Sequence, residues 1–248
     1  MTIGQTTFVV LVNPTVNDAN QVTVPAPGSA RSGVTVSVTG GPSATTDATA
    51  VAVLADVMAG NRTISLSGQG ASGQLTATIN QGDLREIAVA SGGSGSSEMA
   101  NVNYAIGGQI TTITSGMTVQ QVNAELAKSN IIVFVRSGTL TGDLTFSGSN
   151  VTLFGEGPTG GSVTLNGNVS VSGSMNRMRG VRVTGNMTVP GSNFGMSFSR
   201  VNGSFTMAGS NGVLLSNAFC ASATVSGSGA RLIGNAGLAP IAASAGGC

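Results

Sequence analysis

Apolar and polar residues alternate with a period of two along most of the chain. The pattern is clear at Val34-Thr35-Val36-Ser37-Val38, Thr63-Ile64-Ser65-Leu66 and Leu75-Thr76-Ala77-Thr78-Ile79, and it marks half-buried strands. Phe8-Val9-Val10-Leu11-Val12 reads as a further strand. Gly40-Gly41-Pro42 and Ala59-Gly60-Asn61 supply turns between them. Short strands at this spacing predict a β-sandwich over residues 5–90. The run Ser91-Gly92-Gly93-Ser94-Gly95-Ser96-Ser97 has no periodic apolar position. It has the composition of a flexible linker, so residues 91–116 are expected to join two domains.

The second domain, expected over residues 117–248, opens with a helix from Val119 to Lys128. Thr118 precedes it and Gln121 follows three residues later, a capping-box arrangement. Val119, Val122 and Leu126 share one face, too small to form a core of its own. The helix is therefore expected to cap the strand-rich region that starts at Ile131-Ile132-Val133-Phe134-Val135.

That region repeats. Gly173, Gly191, Gly209 and Gly227 lie 18 residues apart and each is followed by serine, which is a solenoid period. Before three of these glycines stand Met187-Thr188-Val189, Phe205-Thr206-Met207 and Ala223-Thr224-Val225, whose first and third residues are expected to point inward and whose threonine outward. Leu144-Thr145-Phe146 and Val169-Ser170-Val171 fit the same frame if a seven-residue insertion lies near Glu156–Ser162. A second glycine column, Gly142, Gly167, Gly185 and Gly203, predicts a corner between two inward-facing strands in every coil. The expected fold is all-β: an N-terminal sandwich, then a parallel β-helix with an N-terminal capping α-helix.

Two resemblances accompany this pattern. The order Val34–Val38, Thr45-Thr46-Asp47, Val51-Ala52-Val53-Leu54, Met58-Ala59-Gly60 and Thr63–Leu66 resembles the transthyretin-like, carboxypeptidase-regulatory-like sandwich, which implies a non-catalytic spacer or presentation domain. Ala50 stands where that family usually carries a turn glycine, and Thr63 where it usually carries an aromatic. Ile131–Leu140, followed by Ser149–Gly157, resembles the opening coils of right-handed, pectin-lyase-like β-helices over roughly residues 117–240. That fold hosts lyases, hydrolases, adhesins and inert stalks, so it implies no activity by itself.

Composition narrows the class. Only 8% of residues are charged while 40% are hydrophobic, a balance that folds readily and suits strands better than helices. No apolar run approaches the roughly 20 residues of a membrane span. Met1–Pro14 lacks the basic segment and cleavage site of a signal peptide, so a secreted protein is expected to have lost its targeting segment. Scarce lysine and absent histidine agree with an extracellular or cell-surface location. The two cysteines, Cys220 and Cys248, are expected to form a disulfide that tethers the C-terminal tail.

Candidate chemistry is sparse. A polysaccharide hydrolase needs two or more converging carboxylates, yet no Asp or Glu occurs after Glu156. Asp143 and Glu156 read as turn residues at non-equivalent positions. With no histidine, neither a common zinc site nor a histidine-dependent nucleophile is expected, and no Gly-Lys-Ser/Thr phosphate loop occurs. No catalytic residue, cofactor, metal or nucleic-acid partner is expected.

Residues 157–248 carry five arginines, Arg177, Arg179, Arg182, Arg200 and Arg231, and no acid. Arg182 and Arg200 lie one period apart, and Arg177 and Arg231 three, which predicts stacked cations able to meet an anionic polysaccharide. The outward positions around Thr145, Ser170, Thr188, Thr206 and Thr224 form a small, almost uncharged face, a geometry that suits a partner surface or ice. The leading expectation is a non-catalytic structural or adhesive surface protein that meets another surface protein or a glycan. Carbohydrate recognition through the arginines is the alternative.

Overall fold

The computed structural model describes residues 6–12, 32–48, 50–91, 97–104, 109–156 and 163–237. It is an all-β protein with one α-helix among the described residues, Val119–Leu126. The chain divides into two compact units, the first running to residue 106 and the second taking up the chain from 107.

In the first unit two four-stranded sheets enclose one core. One sheet orders Val51–Leu54, Thr7–Val12, Leu84–Ser91 and Ser97–Asn103; the other orders Ser43–Thr45, Thr35–Val38, Gly60–Ser67 and Gly73–Ile79. Phe8, Val10, Val36, Ile64, Ile87 and Val89 meet between them, so the alternation read from sequence points its apolar half inward. Ala50 takes a left-handed φ of 60°. It makes the turn before Val51 although it carries a side chain, supported by Asp47, whose carboxylate accepts from the Val51 N–H.

The expected linker at 91–97 is corrected. Leu84–Ser91 and Ser97–Asn103 pair antiparallel, with Ser91 opposite Ser97. The Gly/Ser run therefore joins two strands of one sheet, and the first unit extends past residue 90. Glycine and serine favour a chain reversal as much as a tether, and composition alone does not separate the two. Gly92–Ser96 themselves lie outside the described residues.

The second unit is a parallel β-solenoid of three sheets. The first sheet runs Gln109–Ile113, Ile131–Val135, Val151–Gly155, Arg177–Arg179, Gly195–Ser197, Val213–Leu215 and Arg231–Ile233. The second runs Gly138–Thr141, Val163–Asn166, Arg182–Val183, Arg200–Val201 and Ala218–Phe219. The third runs Leu144–Phe146, Val169–Val171, Met187–Val189, Phe205–Met207 and Ala223–Val225. All neighbours are parallel, as in Met187 beside Phe205 and Phe205 beside Ala223. Each coil thus finds its backbone partners in the next.

Registers locate the insertion. Gly138 pairs with Val163 and Thr152 with Arg177, offsets of 25, whereas Thr164 pairs with Arg182 at 18. The difference of seven falls between Gly155 and Val163, where residues 157–162 lie outside the described residues.

Two expectations change here. Five successive coils, from Ile131 to Val225, carry a third strand besides the two around the glycine corner, and the solenoid begins inside the expected lead-in, because Gln109–Ile113 pairs with Ile131–Val135. The first sheet hides from pattern analysis because its outward positions include buried Leu215 and Ile233, which erase the alternation.

Both glycine columns have one cause. A side-chain carbon on Gly173, Gly191, Gly209 or Gly227 would overlap the carbonyl of the column glycine one coil earlier, and Gly167, Gly185 and Gly203 meet the same obstacle. Backbones pass too closely at these corners for any Cβ.

The third corner is built from left-handed residues, Asn130, Asn150, Asn193 and Asn211, with Met175 at φ 58° in the same column. Asparagine adopts this conformation readily, whereas methionine does so at a cost of about 1–2 kcal/mol. Met175→Asn should therefore stabilise the solenoid by about 1 kcal/mol, read as a melting temperature about 2–4 °C higher; an unchanged or lower value contradicts the assignment of strain.

The helix caps the solenoid as expected. Thr118 and Gln121 form both bonds of the capping box, and Val122 and Leu126 are buried in the solenoid core. Asn123 closes the edge of the third sheet, donating to the Asp143 carbonyl at 3.1 Å and accepting from the Thr145 N–H at 2.9 Å.

Candidate functional site

The five arginines do not form one stripe. Arg177, Arg179 and Arg231 stand on the outer side of the first sheet, and Arg182 and Arg200 on the second. Arg177 and Arg231 share a column but are separated in it by Gly195 and Val213. Several have structural work. Arg177 donates to the Asn150 side chain at 2.8 Å and to the Met175 carbonyl, and the Arg179 guanidinium lies 5.1 Å from the centre of the Phe198 ring.

Arg182 and Arg200 are the pair the structure brings together, as direct register partners. Arg200 is buried and donates from Nε to the Asn202 amide oxygen at 2.6 Å. Burial, and secondarily the Arg182 charge, push its pKa below the ordinary arginine value. Arg182 Nε is buried without a hydrogen-bond partner. Two cations held this close favour an anion between them.

Asp143 is the foot of a ladder. Its Oδ1 accepts from the Asn168 N–H at 2.8 Å, Asn168 Oδ1 from the Asn186 N–H at 3.0 Å, and Asn186 Oδ1 from the Ser204 N–H at 2.9 Å. Side chains here replace backbone pairing at the corner leading into the third sheet. Beside the ladder, Thr145, Thr188, Thr206 and Thr224 are exposed on the outer face of that sheet, as expected. In the sandwich, buried Arg85 is consumed by Asp83, Asn101 and the Thr78 carbonyl, a structural knot.

The most site-like feature lies where sequence reasoning placed none. Phe134 and Phe154 are register partners on the outer side of the first sheet, their rings 5.5 Å apart and inclined by 18°. Two residues beyond each, Arg136 and Glu156 form an ion pair at 3.7 Å with side chains 66% and 51% exposed, so the pair faces solvent. With Thr112, Val135 and Gly155 these residues line a cavity of about 420 Å³.

Glu156 also accepts the Ser137 N–H at 2.9 Å. That bond holds its carboxyl below the usual carboxylate range; burial opposes it, and the nearby Arg136 charge adds a lesser lowering. A lowered pKa means the Ser137 bond is present above the ordinary carboxylate pKa and is lost only as pH falls through the lowered value. A legible signal existed: Phe134 and Phe154, and Arg136 and Glu156, are each 20 residues apart, the offset of Ile131 from Val151 in the first coil.

Among the described residues no group of three or more His, Cys, Asp or Glu converges as a metal site, and no helix is long and apolar enough to cross a membrane. Cys220 is disulfide-bonded. Cys248, the other cysteine of the chain, lies outside the described residues, as does the tail from 238. The chain matches no protein-family model, no curated protein and no solved structure.

Proposed function

We propose that the chain is a non-catalytic structural and adhesive protein of a bacterial cell surface or the extracellular space. The sandwich spaces or presents the solenoid, and the sides of the solenoid make the contacts. The observation that carries this reading is the fate of the solenoid's last two carboxylates. Asp143 is spent on the corner ladder beside the third sheet, and Glu156 on Ser137 and Arg136 after the first. A glycoside hydrolase needs two carboxyls flanking one bond, and these two serve different sheets. On this reading the solenoid is a pectin-lyase-like right-handed helix without the acids of the enzymes, and the sandwich is a transthyretin-like spacer.

Antibody labelling of intact source cells tests the location. The expected result is labelling without permeabilisation; labelling only after permeabilisation contradicts it.

A second reading, recognition of an anionic polysaccharide, is favoured by the unpartnered Arg182 Nε beside Arg200. It predicts salt-sensitive retention on immobilised polygalacturonate, lost in Arg182→Ala/Arg200→Ala; retention by the double variant removes it.

The bond at Cys220 is proposed to run to Cys248. It would close a loop of about 28 residues, worth about 3.5 kcal/mol in the chain-entropy model. Peptide mapping without reduction should find the two cysteines joined within one chain; a Cys220 joined to another molecule overturns the assignment.

A further inference from the structure

The cavity beside Phe134 has the chemistry of a ligand site. Thr112, Phe134, Phe154 and Arg179 follow one another as register partners up the first sheet. Phe154 stacks on one side of Phe134. The residue on the other side is the small Thr112, and both line the cavity. The ring column therefore stops one step short of the end of the sheet, leaving a slot for a flat, partly apolar ring.

At the rim stand one guanidinium and one carboxylate, already paired and open to solvent. Their charges cancel, so the site attracts no net charge. What suits such a pair is a group that donates to Glu156 and accepts from Arg136 at once, without separating them. Vicinal hydroxyls do this, because each hydroxyl is both donor and acceptor. A ligand with an apolar C–H face for Phe134 and adjacent hydroxyls for Arg136 and Glu156 is a sugar ring. The volume of about 420 Å³ lies within the roughly 300–1,000 Å³ of small-ligand sites.

We propose that this cleft binds a neutral saccharide unit of a glycan chain. The class is neutral because the rim pair has no net charge to favour an anion, and a uronate carboxylate could reach Arg136 only by crowding Glu156. Phe134 supplies the platform, and Arg136 and Glu156 read the hydroxyls. The site rests on the adhesive reading for its biological role and names what that surface holds.

Titration calorimetry with the full chain tests it, using maltohexaose, cellohexaose, mannohexaose and tetragalacturonate as probes. At least one neutral oligosaccharide should bind with a Kd below about 1 mM. Phe134→Ala and Glu156→Gln should each weaken it about tenfold or more, whereas Arg182→Ala should leave it unchanged. Glu156 is exposed, so its variant folds even if Phe134→Ala loosens the sheet; melting curves verify both. Failure of all three neutral probes at millimolar concentration overturns the proposal, as does binding indifferent to both cleft variants. Binding of tetragalacturonate alone, lost in Arg182→Ala, also overturns it and moves the ligand to the arginines. Cell labelling tests the adhesive reading separately, so the two failures are distinguishable.

Discussion

Phe205→Asp should abolish the cooperative melting of the solenoid. Phe205 is buried, points into the core and lies 4.6 Å from the Phe219 ring, between Met187 and Ala223 in its sheet. The substitution removes a large apolar side chain, costing about 3–5 kcal/mol, and leaves a carboxylate with no partner, costing several more. Together these match the whole margin of a typical domain, about 5–15 kcal/mol. The neighbouring Thr206 faces solvent, so Thr206→Asp should change stability by less than about 0.5 kcal/mol. Circular dichroism melts of the two variants test the register directly. Equal melting contradicts the inward and outward assignment. The sandwich has its own core, so a transition from that unit should survive in both.

Gly191→Val is expected to be nearly as damaging for a different reason. The first side-chain carbon would overlap the Gly173 carbonyl, and the same contact recurs at Gly209 and Gly227. The coil cannot yield there without breaking its pairing above and below, so the cost sits at or beyond the upper end of overpacking, about 3 kcal/mol or more. In a chain of this size that lowers the melting temperature by about 6–12 °C. Gly116 has no atom within 4 Å of such a carbon, and Gly116→Ala should be neutral. A Gly191→Val protein that melts with the unsubstituted one would show that the column is not a steric requirement.

Much of the fold was legible because solenoids write their geometry into spacing. The 18-residue columns of glycine, Thr206 between inward Phe205 and Met207, and the insertion arithmetic all follow from stacking one coil on the next. The losses have equally physical causes. Ser91 and Ser97 pair across a hairpin whose glycine-rich composition is shared by linkers. Val213-Leu214-Leu215 does not alternate, because its outward leucine is also buried, so the first sheet carried no period-two signal there. The Phe134 cleft was missed because the first coil has an offset of 20 rather than 18, which takes Phe134, Phe154, Arg136 and Glu156 out of the repeat frame. The arginines were visible as a charge bias, but only Arg182 and Arg200 share a column in adjacent coils. Distribution of the others between two sheets depends on strands the pattern did not reveal.

A solenoid that holds glycans without altering them is separated from an enzyme by one measurement. The full chain is incubated with neutral and acidic polysaccharides, and both the retained fraction and the length of the recovered glycan are read by size-resolved mass spectrometry. Retention of a neutral glycan whose length distribution is unchanged, with no unsaturated ends, is the predicted result. Shortened chains or unsaturated termini, absent from a heat-denatured control, would contradict it.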